Sequence, residues 1–185
     1  GSCDDAGTSD FCLFRLTTVG ALDSASFGSG GKVITPIASD EDAATGVVVQ
    51  ADGKIVVAGA CSTHWAYSNA GVTKFCVARY LSTGALDTTG FNASAAPADR
   101  GKRLLAFAST YDGADALLVQ SDGKLVLVGR CNADPAQGTG VFCLLRLSTD
   151  GSLDATFGSG GQATVAAVAN QRDISVAALL QPDGD

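Results

Sequence analysis

Val119-Gln120-Ser121-Asp122-Gly123-Lys124-Leu125-Val126-Leu127-Val128-Gly129-Arg130-Cys131 reads as the end of one β-strand, a tight turn and a return strand. The Asp-Gly step supplies the positive φ that such a turn needs, and the aliphatic run after Lys124 has the β-branched character of a strand. The same phrase stands at Val49-Gln50-Ala51-Asp52-Gly53-Lys54-Ile55-Val56-Val57-Ala58-Gly59-Ala60-Cys61, and its opening returns at Leu180-Gln181-Pro182-Asp183-Gly184. A second phrase keeps step with it: Phe11-Cys12-Leu13-Phe14-Arg15-Leu16, Phe75-Cys76-Val77-Ala78-Arg79-Tyr80 and Phe142-Cys143-Leu144-Leu145-Arg146-Leu147. Its spacing, 76 − 12 = 64 and 143 − 76 = 67 residues, marks an internal repeat, which fixes architecture before any single residue is considered.

Working outward, the middle of the chain predicts strands over 115–120, 124–131, 142–147 and 161–168, four per unit, with 46–50 innermost in its own unit. The apolar runs are nearly continuous rather than alternating, so both faces of each small sheet are covered. Sheets stacked face to face around an axis meet that condition. A solenoid closes its coil in far fewer residues, and a sandwich has no reason to repeat four strands in register. The expected fold class is therefore all-β: β-propeller-like tandem repeats of four-stranded antiparallel blades, forming an incomplete propeller segment. Residues 1–185 make one repeat array, with repeats over 11–74 and 75–141, a shortened one over 142–185, and 1–10 ending a preceding repeat. Methionine is absent, Gly1-Ser2-Cys3 aligns with Gly59-Ala60-Cys61, and Gln181-Pro182-Asp183-Gly184-Asp185 stops where other copies continue into a strand. The expectation is a segment of a longer chain, or a homo-oligomer protomer whose open edges another copy closes.

Six cysteines fall into three pairs, Cys3 with Cys12, Cys61 with Cys76 and Cys131 with Cys143, each at the same place in its repeat. The first of each pair ends one apolar run and the second opens the next, the pattern of two antiparallel strands stapled at their loop end. Metal knuckles favour closer spacing and nearby histidine, and the chain has a single His. Disulfides imply an oxidising location: secreted, periplasmic or at the cell surface.

Arg146-Leu147-Ser148-Thr149-Asp150-Gly151-Ser152-Leu153-Asp154-Ala155-Thr156-Phe157-Gly158-Ser159-Gly160-Gly161, together with the phrase from Gln50 to Gly59, closely resembles the bacterial delta-60 repeat family. The likeness covers nearly the whole chain. It implies large secreted or surface proteins with many tandem β-repeats, and it brings no catalytic residues. Two departures stand out: the cysteine pair in each copy, and Phe91-Asn92-Ala93-Ser94 with an insertion through Gly101 where the other copies carry Phe-Gly-Ser-Gly-Gly.

Composition limits the partners. A net charge of −7 repels the phosphate field, so nucleic acid is not an expected partner. No apolar run is long enough for membrane insertion as a helix. His64, Trp65 and Tyr67 in the bridged loop form an aromatic cluster with a hydrogen-bonding neighbour, suited to a glycan or peptide face. The recurring Arg15, Arg79 and Arg146, and Asp23, Asp87 and Asp154, suit salt bridges that hold each unit together. Acidic groups at Asp4-Asp5, Asp40-Glu41-Asp42 and Asp112 with Asp115 could gather calcium, yet none follows a twelve-residue helix-loop-helix pattern, and no cofactor is expected. No Gly-x-Ser-x-Gly elbow or Walker-type loop is present, and His64 would be the sole imidazole base. The expected function is a non-catalytic secreted or surface module that engages protein or glycan. The alternatives are a self-assembling structural subunit, built from further copies of itself, and a hydrolase.

Overall fold

The computed structural model describes residues 1–5, 7–62, 72–107, 111–134, 139–165, 175 and 177–181. They form three antiparallel sheets. The first holds β1 (Ser2–Asp5), β2 (Thr8–Phe14) and β3 (Lys32–Thr35) in that order. The second runs β4 (Asp42–Val49), β5 (Ile55–Ser62), β6 (Thr73–Tyr80), β7 (Lys102–Leu105), and the third β8 (Gly113–Val119), β9 (Leu125–Asp134), β10 (Thr139–Leu147), β11 (Gln162–Val165). Each sheet is a simple meander. The sequence repeat, which opens at Phe-Cys, therefore begins on β2, β6 and β10, and its first two copies run on through β5 and β9, the second strands of the sheets that follow.

The Asp-Gly turns join the first two strands of the second and third sheets. Gln50 N–H donates to the Lys54 carbonyl and Gly53 N–H to the Gln50 carbonyl, and Gln120, Lys124 and Gly123 repeat both bonds, each at 2.8 or 2.9 Å. Gly53 and Gly123 take φ of 80° and 82°, the left-handed region that closes such a loop without a Cβ clash. Asp52 and Asp122 accept from the Lys54 and Lys124 N–H groups at 3.1 Å and so fix the turn from inside.

Both faces of the middle sheet are buried, as its unbroken apolar runs require. Val57, Cys61, Cys76, Ala78 and Tyr80 pack against Phe11, Leu13 and Phe27 of the first sheet. On the other face Val56, Ala58, Phe75 and Val77 pack against Leu117, Leu127, Leu145 and Leu147 of the third. Full burial of each valine, leucine or phenylalanine among these stabilises the fold by about 1.5–3 kcal/mol. The inner strand β8 touches β4, β5 and β6, whereas no comparable contact joins the outer strands β7 and β11, so the sheets fan outward from an inner edge. That is the blade arrangement of a β-propeller, and the three sheets with open outer faces make it an incomplete one.

The inner strands begin earlier than apolar patterning suggests, at Asp42 and Gly113, because each contains a bulge. Pairing with the second strand slips between Ala44 and Gly46 and between Ala114 and Ala116, leaving Thr45 and Asp115 as the extra residues. The predicted strand over 161–168 is found over Gln162–Val165; Gly161 belongs to the preceding turn, with φ of 95°, and 166–168 lie outside the described residues. At the insertion, Asn92 takes φ of 50° where Gly28 and Gly158 stand in the other copies, and its amide donates to the Asp99 and Lys102 carbonyls at 3.2 and 2.8 Å. Asparagine thus keeps the left-handed corner that glycine provides elsewhere and uses its side chain to hold the inserted 97–99 turn.

Candidate functional site

All three cysteine pairs are joined: Cys3–Cys12, Cys61–Cys76 and Cys131–Cys143. In each, the two residues are diagonal neighbours, two positions apart from direct opposition: Cys61 pairs with Lys74, Cys3 with Asp10 and Cys131 with Val141. The frame is constant but the loop it closes is not, since the bridged positions lie 9, 15 and 12 residues apart. The bridged loops join β1 to β2, β5 to β6 and β9 to β10, so all leave the sheets at one end, where the inner strands of the second and third sheets start. Asp42 is paired there with Cys61. Removing one bridge, as in the double variant Cys131→Ala/Cys143→Ala, is expected to lower unfolding free energy by about 2–3 kcal/mol in urea titration, because the denatured chain regains the freedom of a loop of this size.

The connectors between sheets are tied to the same end. Asp42 is fully buried and accepts from the Ile37 N–H at 2.7 Å and the Ala38 N–H at 3.1 Å. Asp112, its counterpart, accepts from the Phe107 N–H at 2.9 Å. The connectors also bond the bridged strands: Ser62 N–H donates to the Glu41 carbonyl at 2.7 Å and Asp112 N–H to the Thr73 carbonyl at 3.1 Å. In sequence these carboxylates look like acidic clusters. In the fold Asp42 and Asp112 address backbone donors, while Asp115 pairs with Arg130 at 3.3 Å. Among the described residues no group of three or more His, Cys, Asp or Glu side chains is placed to hold a metal.

Burial raises the Asp42 carboxyl above the ordinary carboxylate range, against the pull of the Ile37 and Ala38 N–H groups. A folded-state value above the unfolded one favours the folded protein below about pH 4 and withdraws that advantage as pH rises through the raised value. Asp23, Asp52, Asp122, Asp150 and Asp154 are shifted the other way by hydrogen bonds and neighbouring cations, so their stabilisation is lost only on acidification below the same point. Asp42→Asn is expected to remove the decline above pH 4 while leaving the acid limb intact. Denaturant midpoints measured every half pH unit on both proteins check this.

At the opposite end each sheet carries an Arg-Asp-Phe clasp. Arg15, Arg79 and Arg146 donate from Nε to Asp23, Asp87 and Asp154 at 2.9, 2.9 and 2.8 Å. Each guanidinium also lies over an aromatic ring, Phe27, Phe91 and Phe157, at 4.7, 4.9 and 4.7 Å from its centre. Arg15 and Arg79 then reach across to the next sheet, where their Nη1 atoms donate to the Ser82 and Thr149 carbonyls. The repeated cations and carboxylates thus build the frame, as their recurrence predicts, and bind blade to blade as well, which the sequence does not state. His64, Trp65 and Tyr67 lie outside the described residues.

The family described as a domain of unknown function (DUF5122) beta-propeller matches residues 50–89 and 120–157. Each matched stretch runs from the Asp-Gly turn through the two central strands of one sheet to its Arg-Asp pair, so the chain is similar to that family over the core of its second and third blades. No curated protein matches the chain.

Proposed function

We propose that the chain is a non-catalytic, extracellular propeller module that engages protein or glycan through the bridged loops at one end of its sheets. The observation that supports this reading best is the contrast between a constant frame and loops of unequal length, each rooted by a disulfide on a common face. Rigid scaffolds that carry variable loops place recognition in those loops. The bridges are also what makes an oxidising compartment the natural setting. The recurring Arg, Asp and Phe residues are occupied in holding blades together, so they are not offered as a reaction centre. The longest loop carries Trp65, Tyr67 and His64 in its sequence, residue types that combine apolar rings with hydrogen-bonding groups.

The test is a screen of the disulfide-intact protein on glycan and peptide arrays, repeated with Trp65→Ala. The expected result is a ligand whose affinity falls at least tenfold in the variant. A ligand bound equally well by both proteins sinks the loop assignment.

A further inference from the structure

The corner that leads into the outer strand is closed in the same way between β2 and β3, β6 and β7, and β10 and β11. Gly31, Gly101 and Gly161 N–H groups donate to the Phe27, Phe91 and Phe157 carbonyls at 2.9, 2.8 and 2.8 Å, and the carbonyls of those glycines accept from the Arg15, Arg79 and Arg146 N–H groups. Three residues lie inside that closure in the first and third sheets, and nine, 92–100, in the second. The extra six close nothing that the short corner leaves open. They form a separate 3-10 turn, Pro97–Asp99, held by the Asn92 amide and by the bond from Arg100 Nε to the Ala95 carbonyl at 3.2 Å.

Between this inserted turn, the outer strand β7 and the connector that follows β3 lies an open cleft of about 340 Å³. Ile37, Ala95, Asp99, Lys102, Arg103 and Leu104 line it. The sheets diverge at this edge, and Leu104 is left 38% exposed on the wall. The wall is therefore half apolar, with two cations and one carboxylate set into it.

Comparison between copies separates what the frame needs from what the cleft adds. Lys102 donates to the Pro36 carbonyl at 2.8 Å and so ties the outer strand to the connector, but one blade on Gln162 makes the same tie to the Ala106 carbonyl, at 3.4 Å, with an uncharged amide. Arg103 donates to the Gly151 carbonyl on a turn of the following sheet, whereas its counterpart Val33 meets the equivalent Gly84 with a methyl group alone. Positive charge at 102 and 103 is thus surplus to the fold. Arg100-Gly101-Lys102-Arg103 gathers three cations in four residues on a chain whose net charge is −7, so the concentration runs against the field of the whole molecule.

We propose that this cleft binds one acidic sugar unit, a hexuronate, within a glycan. Lys102 and Arg103 pair with the sugar carboxylate, the two oxygens of Asp99 accept from its hydroxyls, and Ile37, Ala95 and Leu104 cover the C–H face of the ring. A volume near the lower end of small-ligand sites suits a single ring. Asp99 decides between anions: a sulfate or an acidic side chain brings negative oxygens with no donor for it, whereas a hydroxylated acid brings both. The cleft is built from an outer strand, an inserted turn and a connector, so the proposal holds whatever the bridged loops bind.

Trigalacturonate titrated into the disulfide-intact chain at low salt should shift the amide signals of 37 and 92–104 in proton–nitrogen correlation spectra, with a Kd of about 1 mM or tighter. The methyl-esterified trimer keeps ring and hydroxyls but loses the charge, and should bind at least tenfold more weakly. Lys102→Gln and Arg103→Val each copy the residue that another blade carries at that place, so each should keep the wild-type circular dichroism and weaken the uronate at least tenfold. Trp65→Ala should leave it unchanged. The signal map on the wild-type chain reports the site independently of any variant. No shift up to about 10 mM, shifts centred on 61–76, equal affinity for the ester, for sulfate or for triglutamate, indifference to both cleft substitutions, or sensitivity to Trp65→Ala would each overturn the assignment.

Discussion

Arg79→Ala is expected to destabilise the chain by about 3–5 kcal/mol, the cost of leaving one member of a buried ion pair without its partner. The side chains of Arg79 and Asp87 are only 7% and 3% exposed, so the orphaned carboxylate cannot recover its hydration without opening the sheet. Two further contacts are lost with the guanidinium: the stack over Phe91 and the bond to the Thr149 carbonyl. For a chain of this length the loss corresponds to a fall in melting temperature of roughly 6–20 °C. Arg15 provides the internal control. It makes the same set of contacts, but its ion pair is 31% and 20% exposed, where solvent screens it and can rehydrate the survivor, so Arg15→Ala should shift the transition much less. Arg79→Lys should not rescue, because an ammonium cannot serve Asp87, the ring face and the Thr149 carbonyl at once. Differential scanning calorimetry on the three variants distinguishes this account from a simple loss of net charge, which would shift Arg79→Ala and Arg15→Ala equally.

Repetition made much of this architecture legible. Each Asp-Gly turn, each cysteine pair and each Arg-Leu run is read against its copies, and agreement across copies turns a weak local signal into a strand count. What stayed hidden depends on relations between copies. The bonds from Arg15 to Ser82 and from Arg79 to Thr149 span 67 and 70 positions, and no periodicity within one unit reports them. Asp42 and Asp112 show in sequence as acidic clusters because composition records charge and not burial, although their matching places at the start of β4 and just ahead of β8 were the available clue. Bulges are silent for a related reason: an extra residue such as Thr45 or Asp115 breaks the pairing register without disturbing the apolar pattern around it.

That bulge underlies the second large effect. Gly129→Ala is expected to cost about 3 kcal/mol, at the upper end of what overpacking incurs, because the added methyl has nowhere to go. A Cβ built on Gly129 falls 1.9 Å from the Gly113 carbonyl oxygen and 2.9 Å from the Ala114 Cα, both backbone atoms of the neighbouring inner strand. Gly59 stands in the same relation to the Ala43 carbonyl, also at 1.9 Å, so the close approach is a feature of the blade and not of one copy. Relief requires β8 to draw away from β9 at the bulge. Asp115, which the bulge aims at Arg130 and Ser175, then loses its placement, and the tail loses its anchor with it. Hydrogen exchange on the variant should show faster exchange over 113–119 while 73–80 in the second sheet stays protected. Uniform loss of protection across both sheets would show instead that the blades unfold as one unit and that the glycine matters to global stability alone.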